Sequence, residues 1–475
     1  MTSLAASANG LVEQAAPAAF PFGPASVADV LIEGVRDHPG RLALIDGDHT
    51  WTYAELDQAV SDVAANVSEP GSNVAFLDVE SSAELIIGVL AIFRSGDIWV
   101  AGAVEPNIAE LAALTSGRGT PVDPNAPAVI ASTSGTSGEP KRVVHSQHGV
   151  LLPALVSIDV EPPRVDERIG TPLDLRIANV MVLGPLSSFV RGSTFVVMRR
   201  RYAAGIAEDI EANAITRLLA VPTLAHDLAH SSDVEPSQLR TLDRVILGGS
   251  GGDPETQQRF ADRFGVRPTL SYGLSEAPTG VVRESLDDAV GSRAGHPLPH
   301  VQILVVDPDS GEELPTDTVG EVCIHPANSG KWANTWTGTL GYLGRPDLTA
   351  RLYRGGVLHT GDLGVIDELG RVSITGRLSD LIIRGGANVD PRALEAELVA
   401  LASVADVFVT GLNDQRLGQR VGAVVVLDSD ASTRDFEAEL NSTAIALDQW
   451  ALAEAIPQNS MGKADRPAVL RLLES

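Results

Sequence analysis

The chain has 475 residues, long enough for several domains and a large core, and 44% of them are hydrophobic. Lys and Arg total 35 against 62 Asp and Glu, a formal net charge of −27; such an acidic surface argues against nucleic acid or anionic lipid as a general partner. A single cysteine, Cys323, rules out an intrachain disulfide or a cysteine-based metal cluster and favours a cytoplasmic location.

In chain order, residues 1–24 are Ala/Pro-rich, and no Lys or Arg precedes Arg36, so they read as a loose arm rather than a secretory signal. No apolar run is long enough to cross a bilayer. A helix is expected over Val27–Arg36, then a hairpin turning at Asp46-Gly47. Thr52 with Glu55 three residues on is a capping box that opens a helix. Val74–Asp78, Ala83–Phe93 and Ile98–Ala101 continue as strand, helix, strand. Pro127–Ala131 reads as a buried strand that runs into Thr133–Val144, TSGTSGEPKRVV.

In that loop, Gly135 and Gly138 free the backbone to turn its N–H groups inward. Thr133, Ser134, Thr136 and Ser137 add hydroxyls, and Lys141 adds a mobile cation, which together make a polyphosphate cradle. Lys141 is not followed by Ser or Thr, so the loop is not a Walker A loop, and a Ser/Gly-rich surface loop is the competing reading. Lysine is otherwise found only at Lys331 and Lys463.

Further along, Ser193–Met198, Ile215–Leu219 and Val245–Leu247 read as strands, Leu224–His230 and Pro254–Phe264 as helices. Arg199–Arg201 reads as a solvated face. Val245–Leu247 enters Gly248-Gly249-Ser250-Gly251, and Pro268–Leu270 enters Ser271-Tyr272-Gly273-Leu274-Ser275-Glu276. From Val301, short strands with Asp-Pro, Ser-Gly and Leu-Gly turns suggest a small β-subdomain, and Cys323 falls in one of these strands as core. Residues 380–475 return to alternating strands and helices.

Taken in order, these motifs resemble the adenylate-forming superfamily of acyl-CoA synthetases, nonribosomal adenylation domains and luciferases. TSGTSGEPK is similar to the family's phosphate loop and SYGLSE to its tyrosine-glycine motif. His359–Asp362 is similar to its TGD motif, Gly376–Asp380 to its interdomain stretch, and Pro457 with Gly462-Lys463 and Arg466 to its catalytic-lysine motif. The resemblance implies an α/β fold: a large N-terminal domain, 1–378, of stacked α/β subdomains plus a small β-subdomain, and a small mobile α+β C-terminal domain, 379–475.

It also implies roles. Residues Thr133–Gly138 with Lys141 would bind the β- and γ-phosphates of ATP. Gly248, Gly249, Ser250, Tyr272 and Gly273 would flank the adenine, Ser275 would touch the α-phosphate, and Glu276 would hold Mg²⁺. Asp362 and Arg377 would hold ribose or phosphate, Gly385 and Gly386 the pantetheine arm of coenzyme A, and Lys463 would bridge the carboxylate and α-phosphate. The chain departs from the family pattern at Arg142, Ser379 and Ala393. It also lacks a clear acidic partner for a substrate amine, with Asp174 and Asn179 as imperfect candidates, which points to an unaminated carboxylic acid. The activity implied is activation of that acid to acyl-AMP and transfer to coenzyme A. Loading of an acyl carrier protein's phosphopantetheine is the alternative, and a non-catalytic binder is a third possibility.

Overall fold

The structure, a computed structural model, describes residues 10–14, 16–66, 74–102, 123–133, 141–249, 252–277, 280–288, 294–385, 387–443, 445–458 and 464–474. Two compact units divide the chain. One comprises Met1–Asp317, Cys323–Thr360 and Ile366–Ser373; the other comprises Thr318–Val322, Gly361–Val365 and Ile374–Ser475.

In the first unit a large sheet runs in the spatial order Ala294–Pro297, Gly280–Arg283, Pro268–Gly273, Arg244–Gly248, Arg217–Ala220, Arg168–Thr171, Thr194–Val197, Leu42–Asp46 and His49–Thr52. Its middle is parallel, while antiparallel partners close each end. Crossover helices Ala203–Asn213, Pro222–His230 and Pro254–Phe264 connect the parallel strands. Ile206, Leu228 and Phe260 from these helices pack with Leu218 and Val245 of the sheet. The apolar spacing of each helix sets that face.

A second, five-stranded sheet is ordered Gly341–Tyr342, Lys141–Ser146, Pro127–Thr133, Ile98–Ala101, Val74–Phe76. Ile98, Trp99, Val100 and Ala101 are all buried, the continuous apolar run of a parallel strand covered on both faces. The helix Ala83–Arg94 starts at Ser82, whose hydroxyl accepts from Leu85 N at 3.3 Å. Asp46, at the end of its strand, accepts from Ala83 N at 2.9 Å and pairs with Arg199, so the sequence's hairpin anchors that helix.

The second unit is built on the antiparallel pair Val404–Asp414 and Gly418–Leu427, extended by Ile382–Arg384 with Ala387–Val389 and by Gln449–Leu452. Alternation along one strand supplies two cores. Val421, Ala423 and Val425 face Leu398 and Phe436, while Val424 faces Val469 and Leu473. No helix among the described residues is long and apolar enough to cross a membrane. Cys323 is buried in Gly320–Pro326, its sulfur 3.4 Å from His359 Nδ1.

Candidate nucleotide and acid site

In the first unit the carboxyl ends of Arg217–Ala220, Arg244–Gly248 and Pro268–Gly273 lie side by side: Leu247 pairs with Ala220, and Gly248 with Ser271. Gly248, Gly249, Tyr272 and Gly273 therefore share one sheet end, the end where parallel α/β sheets receive ligands. Gly249 has φ +92°, a backbone region that residues with a Cβ rarely adopt, so the turn off the strand requires glycine there.

Ser275 and Glu276 follow in a turn closed by Ala277 N donating to Leu274 O at 3.2 Å. Glu276 is fixed twice. Its carbonyl accepts from Thr339 N at 2.8 Å, and its Oε1 accepts from the Tyr342 hydroxyl at 2.6 Å. Tyr342 pairs through its backbone with Val143, and the Lys141 ammonium lies 5.4 Å from its ring centroid. Thus Lys141 and Glu276, distant in sequence, meet one tyrosine, the cation over the ring and the carboxylate at the hydroxyl. Burial first, and then the Glu276 charge, push that hydroxyl far above the usual phenol range, so it stays a donor. The Glu276 carboxylate, half-buried with one oxygen engaged by a neutral donor, fits the hard-oxygen preference of Mg²⁺, which commonly takes one or two carboxylates alongside phosphates.

Thr133 is the register partner of Lys141, so the phosphate loop joins two antiparallel strands rather than a strand and a helix. Ser134, Gly135, Thr136, Ser137 and Gly138 lie outside the described residues, as do Ser250, Gly386 and Lys463. His145, on the Lys141 strand, is 2% exposed, and burial lowers it to about 4. Its ring lies against the Ser275 backbone without a hydrogen bond of ordinary geometry at either nitrogen. Asp174 is already engaged by Arg176 at 2.7 Å, with Ser81 donating at 3.3 Å, an internal pairing that leaves it a poor partner for an amine.

In the second unit Asp362 is 6% exposed, and its Oδ1 lies 3.1 Å from Arg377 Nε. Gly361, at φ +70°, donates its N–H to Glu321 Oε1 at 3.1 Å. This unit therefore brings Asp362 and Arg377 together. Gly385, at φ +61°, turns the hairpin between Ile382–Arg384 and Ala387–Val389 and donates to Leu417 O at 2.7 Å. Ser379 sits in a short 3₁₀ turn, Leu378–Asp380, where its hydroxyl donates to Asp380 at 3.3 Å.

Tyr342, His145 and Thr339 were not singled out by the sequence. Tyr342 stands alone in Leu340–Arg345 with no spacing that would mark it, and only the strand pairing brings it to Glu276.

Residues 99–331 match the model of the AMP-binding enzyme family. A feruloyl-CoA synthase of an Amycolatopsis species is 28% identical over 451 residues, covering 85% of this chain and 89% of that protein. The fatty acid–[acyl-carrier-protein] ligase ScoC of Streptomyces coeruleorubidus is 32% identical over 362 residues, covering 72% of this chain and 66% of its own. Among solved structures, ATP-bound MatB from Rhodopseudomonas palustris has the same fold: TM-score 0.79 at 24% identity, covering 94% of this chain and 98% of that one. With its matched domain, its relatives and a mixed α/β fold carrying the phosphate-loop and tyrosine-glycine motifs in order, the chain belongs to the adenylate-forming superfamily of AMP-binding enzymes.

Proposed function

We propose that this protein is an AMP-forming acid–thiol ligase that activates a small carboxylic acid and passes its acyl group to coenzyme A. A carboxylate oxygen attacks the α-phosphorus of ATP and pyrophosphate leaves. A thiol sulfur then attacks the acyl carbon, AMP leaves, and the thiol proton goes to solvent. The convergence of Lys141 and Glu276 on Tyr342, in the unit whose sheet end carries Gly248, Gly249, Tyr272 and Gly273, supports this reading most.

In this reading Tyr272 offers a flat π surface to the adenine. Lys141 and the loop before it take the β- and γ-phosphates, and the Ser275 hydroxyl takes the α-phosphate. Glu276, oriented by Tyr342, would hold Mg²⁺, which supplies charge neutralisation at the phosphates. Asp362 accepts from the ribose hydroxyls, with Arg377 beside it as the balancing cation. Lys463 neutralises charge as the acyl-phosphate bond forms. Gly385 and Gly386 receive the pantetheine arm. The cytoplasm, where ATP and free thiol acceptors coexist, is the compartment proposed.

A carrier-protein phosphopantetheine as acceptor is the second reading, favoured by the ScoC similarity and by Ala393 at a position where the superfamily resemblance leads one to expect a carboxylate. An acid panel with ATP, read by pyrophosphate exchange and by hydroxylamine trapping of acyl-AMP, tests the first step; exchange at background with every acid would refute it. Adding coenzyme A or a holo-carrier then separates the acceptors, since acylation of the carrier alone would exclude coenzyme A.

A further inference from the structure

Residues 1–24 read in sequence as a loose arm, yet those of them that are described, 10–14 and 16–24, are tied to the fold. Leu11 forms an antiparallel bridge with Gly341, and Val12 N donates to Leu340 O at 2.8 Å. The Thr349 hydroxyl accepts from Tyr342 N at 2.9 Å and donates to Gly10 O at 2.7 Å. The arm thus covers the outer edge of Gly341–Tyr342, the strand whose other edge pairs with Lys141–Ser146. Leu11 and Val12 are buried there. Farther along, Ala18 N donates to Asn334 O at 2.8 Å, and the Phe20 ring stacks on His148 at 4.0 Å. Phe22 meets Trp332 edge-on at 5.6 Å, with the Lys331 ammonium 4.6 Å from the Phe22 ring centroid.

Gln14, half-buried, reaches inward from this arm. Its Nε2 donates to Thr339 O at 2.8 Å and lies 3.4 Å from Gly338 O and 3.2 Å from the Tyr353 hydroxyl, which donates to the same Thr339 carbonyl. The Gly338 carbonyl and the Thr339 N–H belong to one peptide group, and that N–H is the donor that holds the Glu276 carbonyl at 2.8 Å. Thr339 Oγ1 donates in turn to Val144 O at 2.6 Å, on the strand that carries Lys141. One side chain of the arm therefore grips the short segment from which both Glu276 and Tyr342 are placed. Glutamine suits the position: its amide offers two N–H donors to a cluster of three oxygens, with no charge to compete with a cation for the Glu276 carboxylate. The Asn125 side-chain N–H donates to Gln14 O at 3.0 Å, two residues before Pro127–Thr133 runs to the phosphate loop.

We infer that Gln14 is a positioning residue for the reaction. Acting through the Thr339 backbone, it holds Glu276 and Tyr342 where Mg²⁺ and the ATP phosphates are received. The inference rests on the ligase reading for the role of Glu276, and adds to it a residue far from the motifs in sequence. Contacts one step behind a metal-binding carboxylate fix its orientation and so its affinity for the ion.

The test uses Gln14→Met in the full chain, which fills similar space and removes the donor, with Glu13→Gln at the exposed neighbour as control. Pyrophosphate exchange with an acid the wild type accepts gives the KM for MgATP, the Mg²⁺ concentration for half-maximal rate and the KM for the acid, and Tm is read alongside. Gln14→Met should raise the KM for MgATP and the Mg²⁺ requirement about 5-fold, the worth of one neutral hydrogen bond, and leave the KM for the acid within about 2-fold. In the double variant with Tyr342→Phe the combined loss should fall short of the product of the two, because both act on one carboxylate. A purely structural glutamine would lower Tm and leave these kinetic parameters unchanged; that result overturns the proposal and leaves the ligase reading standing, as does a fully multiplicative loss in the double variant. If Gln14→Met fails to fold, Asn125→Ala takes its place, since it loosens the Gln14 backbone and keeps the side chain: the same shift, smaller, is expected, and no shift overturns the proposal. If the wild type exchanges with no acid, calorimetric titration decides. Weaker MgATP binding by Gln14→Met with metal-free ATP binding unchanged then keeps the positioning role while the ligase reading falls, and equal MgATP affinity removes both.

Discussion

The Glu395 carboxyl is pushed up to about 7 by burial, although Val409 N donates to it at 2.8 Å, and Asp390 and Asp406 add to the shift. The folded state therefore holds more protons than the unfolded chain between pH 4.5 and 7, and stability falls as pH rises through that window. The whole effect is at most about 3 kcal/mol. Glu395→Gln keeps an acceptor for Val409, so it should match the wild type near pH 4.5 and melt several degrees higher at pH 8, checked by calorimetry. His145 works with the opposite sign. Burial lowers it from 6.5 to about 4, so the unfolded chain binds the extra proton in that range and stability is lost as pH falls through it. His145→Leu removes two unsatisfied nitrogens; it should leave the urea midpoint at pH 7 unchanged or raised, and should flatten its decline from pH 6.5 to 4. His148, lowered to about 4 by burial, sits 2.6 Å from Thr335 O through Nε2 and stacks on Phe20, so its acid sensitivity is tied to that contact.

The elements around the site owe their ends to local chemistry and their aim to pairing. The helix Pro254–Phe264 begins at Asp253, which accepts from Glu255 N and Thr256 N at 3.2 and 2.8 Å, and ends at Gly265 with φ +74°. Asp253→Ala should cost about 1 kcal/mol of stability and leave ATP affinity alone. Gly249→Ala instead forces a Cβ onto φ +92° at the strand end; a loss of about 1–2 kcal/mol and weaker ATP binding are expected, checked by urea unfolding and nucleotide titration. Tyr342→Phe keeps the ring face that Lys141 covers but removes the donor to Glu276. The KM for MgATP should rise about 10-fold, the worth of one hydrogen bond to a charged acceptor, while unchanged kinetics would separate Tyr342 from the site. Val180–Val190, a largely apolar stretch, carries no capping or turn residue of that kind at its start. It folds as helix with a π-helical segment, Val182–Leu186, that includes Pro185.

Across the whole chain, the proposed division of labour makes Lys463→Ala depress acyl-AMP formation by about 10²–10³-fold, and thioester formation from supplied acyl-AMP far less. Comparable losses in both half-reactions would take Lys463 out of the first step. A net charge of −27 on a chain that gathers ATP phosphates also predicts a KM for ATP that falls as ionic strength rises from low values, since screening weakens the general repulsion before it weakens the partly buried local contacts.

The sequence by itself determined the strand–helix rhythm, the Thr52–Glu55 capping box, the Asp46-Gly47 turn and the order of the glycine-rich motifs, because each rests on residues close in sequence. It gave the type of Tyr272, Glu276 and Asp362 but not their company. Only the tertiary structure set Tyr342 between Lys141 and Glu276, buried His145 against Ser275, and gathered Arg191, Arg217, Arg244 and Arg283 around Glu161 and Glu167. Those arrangements come from strand register between distant segments, and no local propensity encodes which distant side chain a paired strand will deliver.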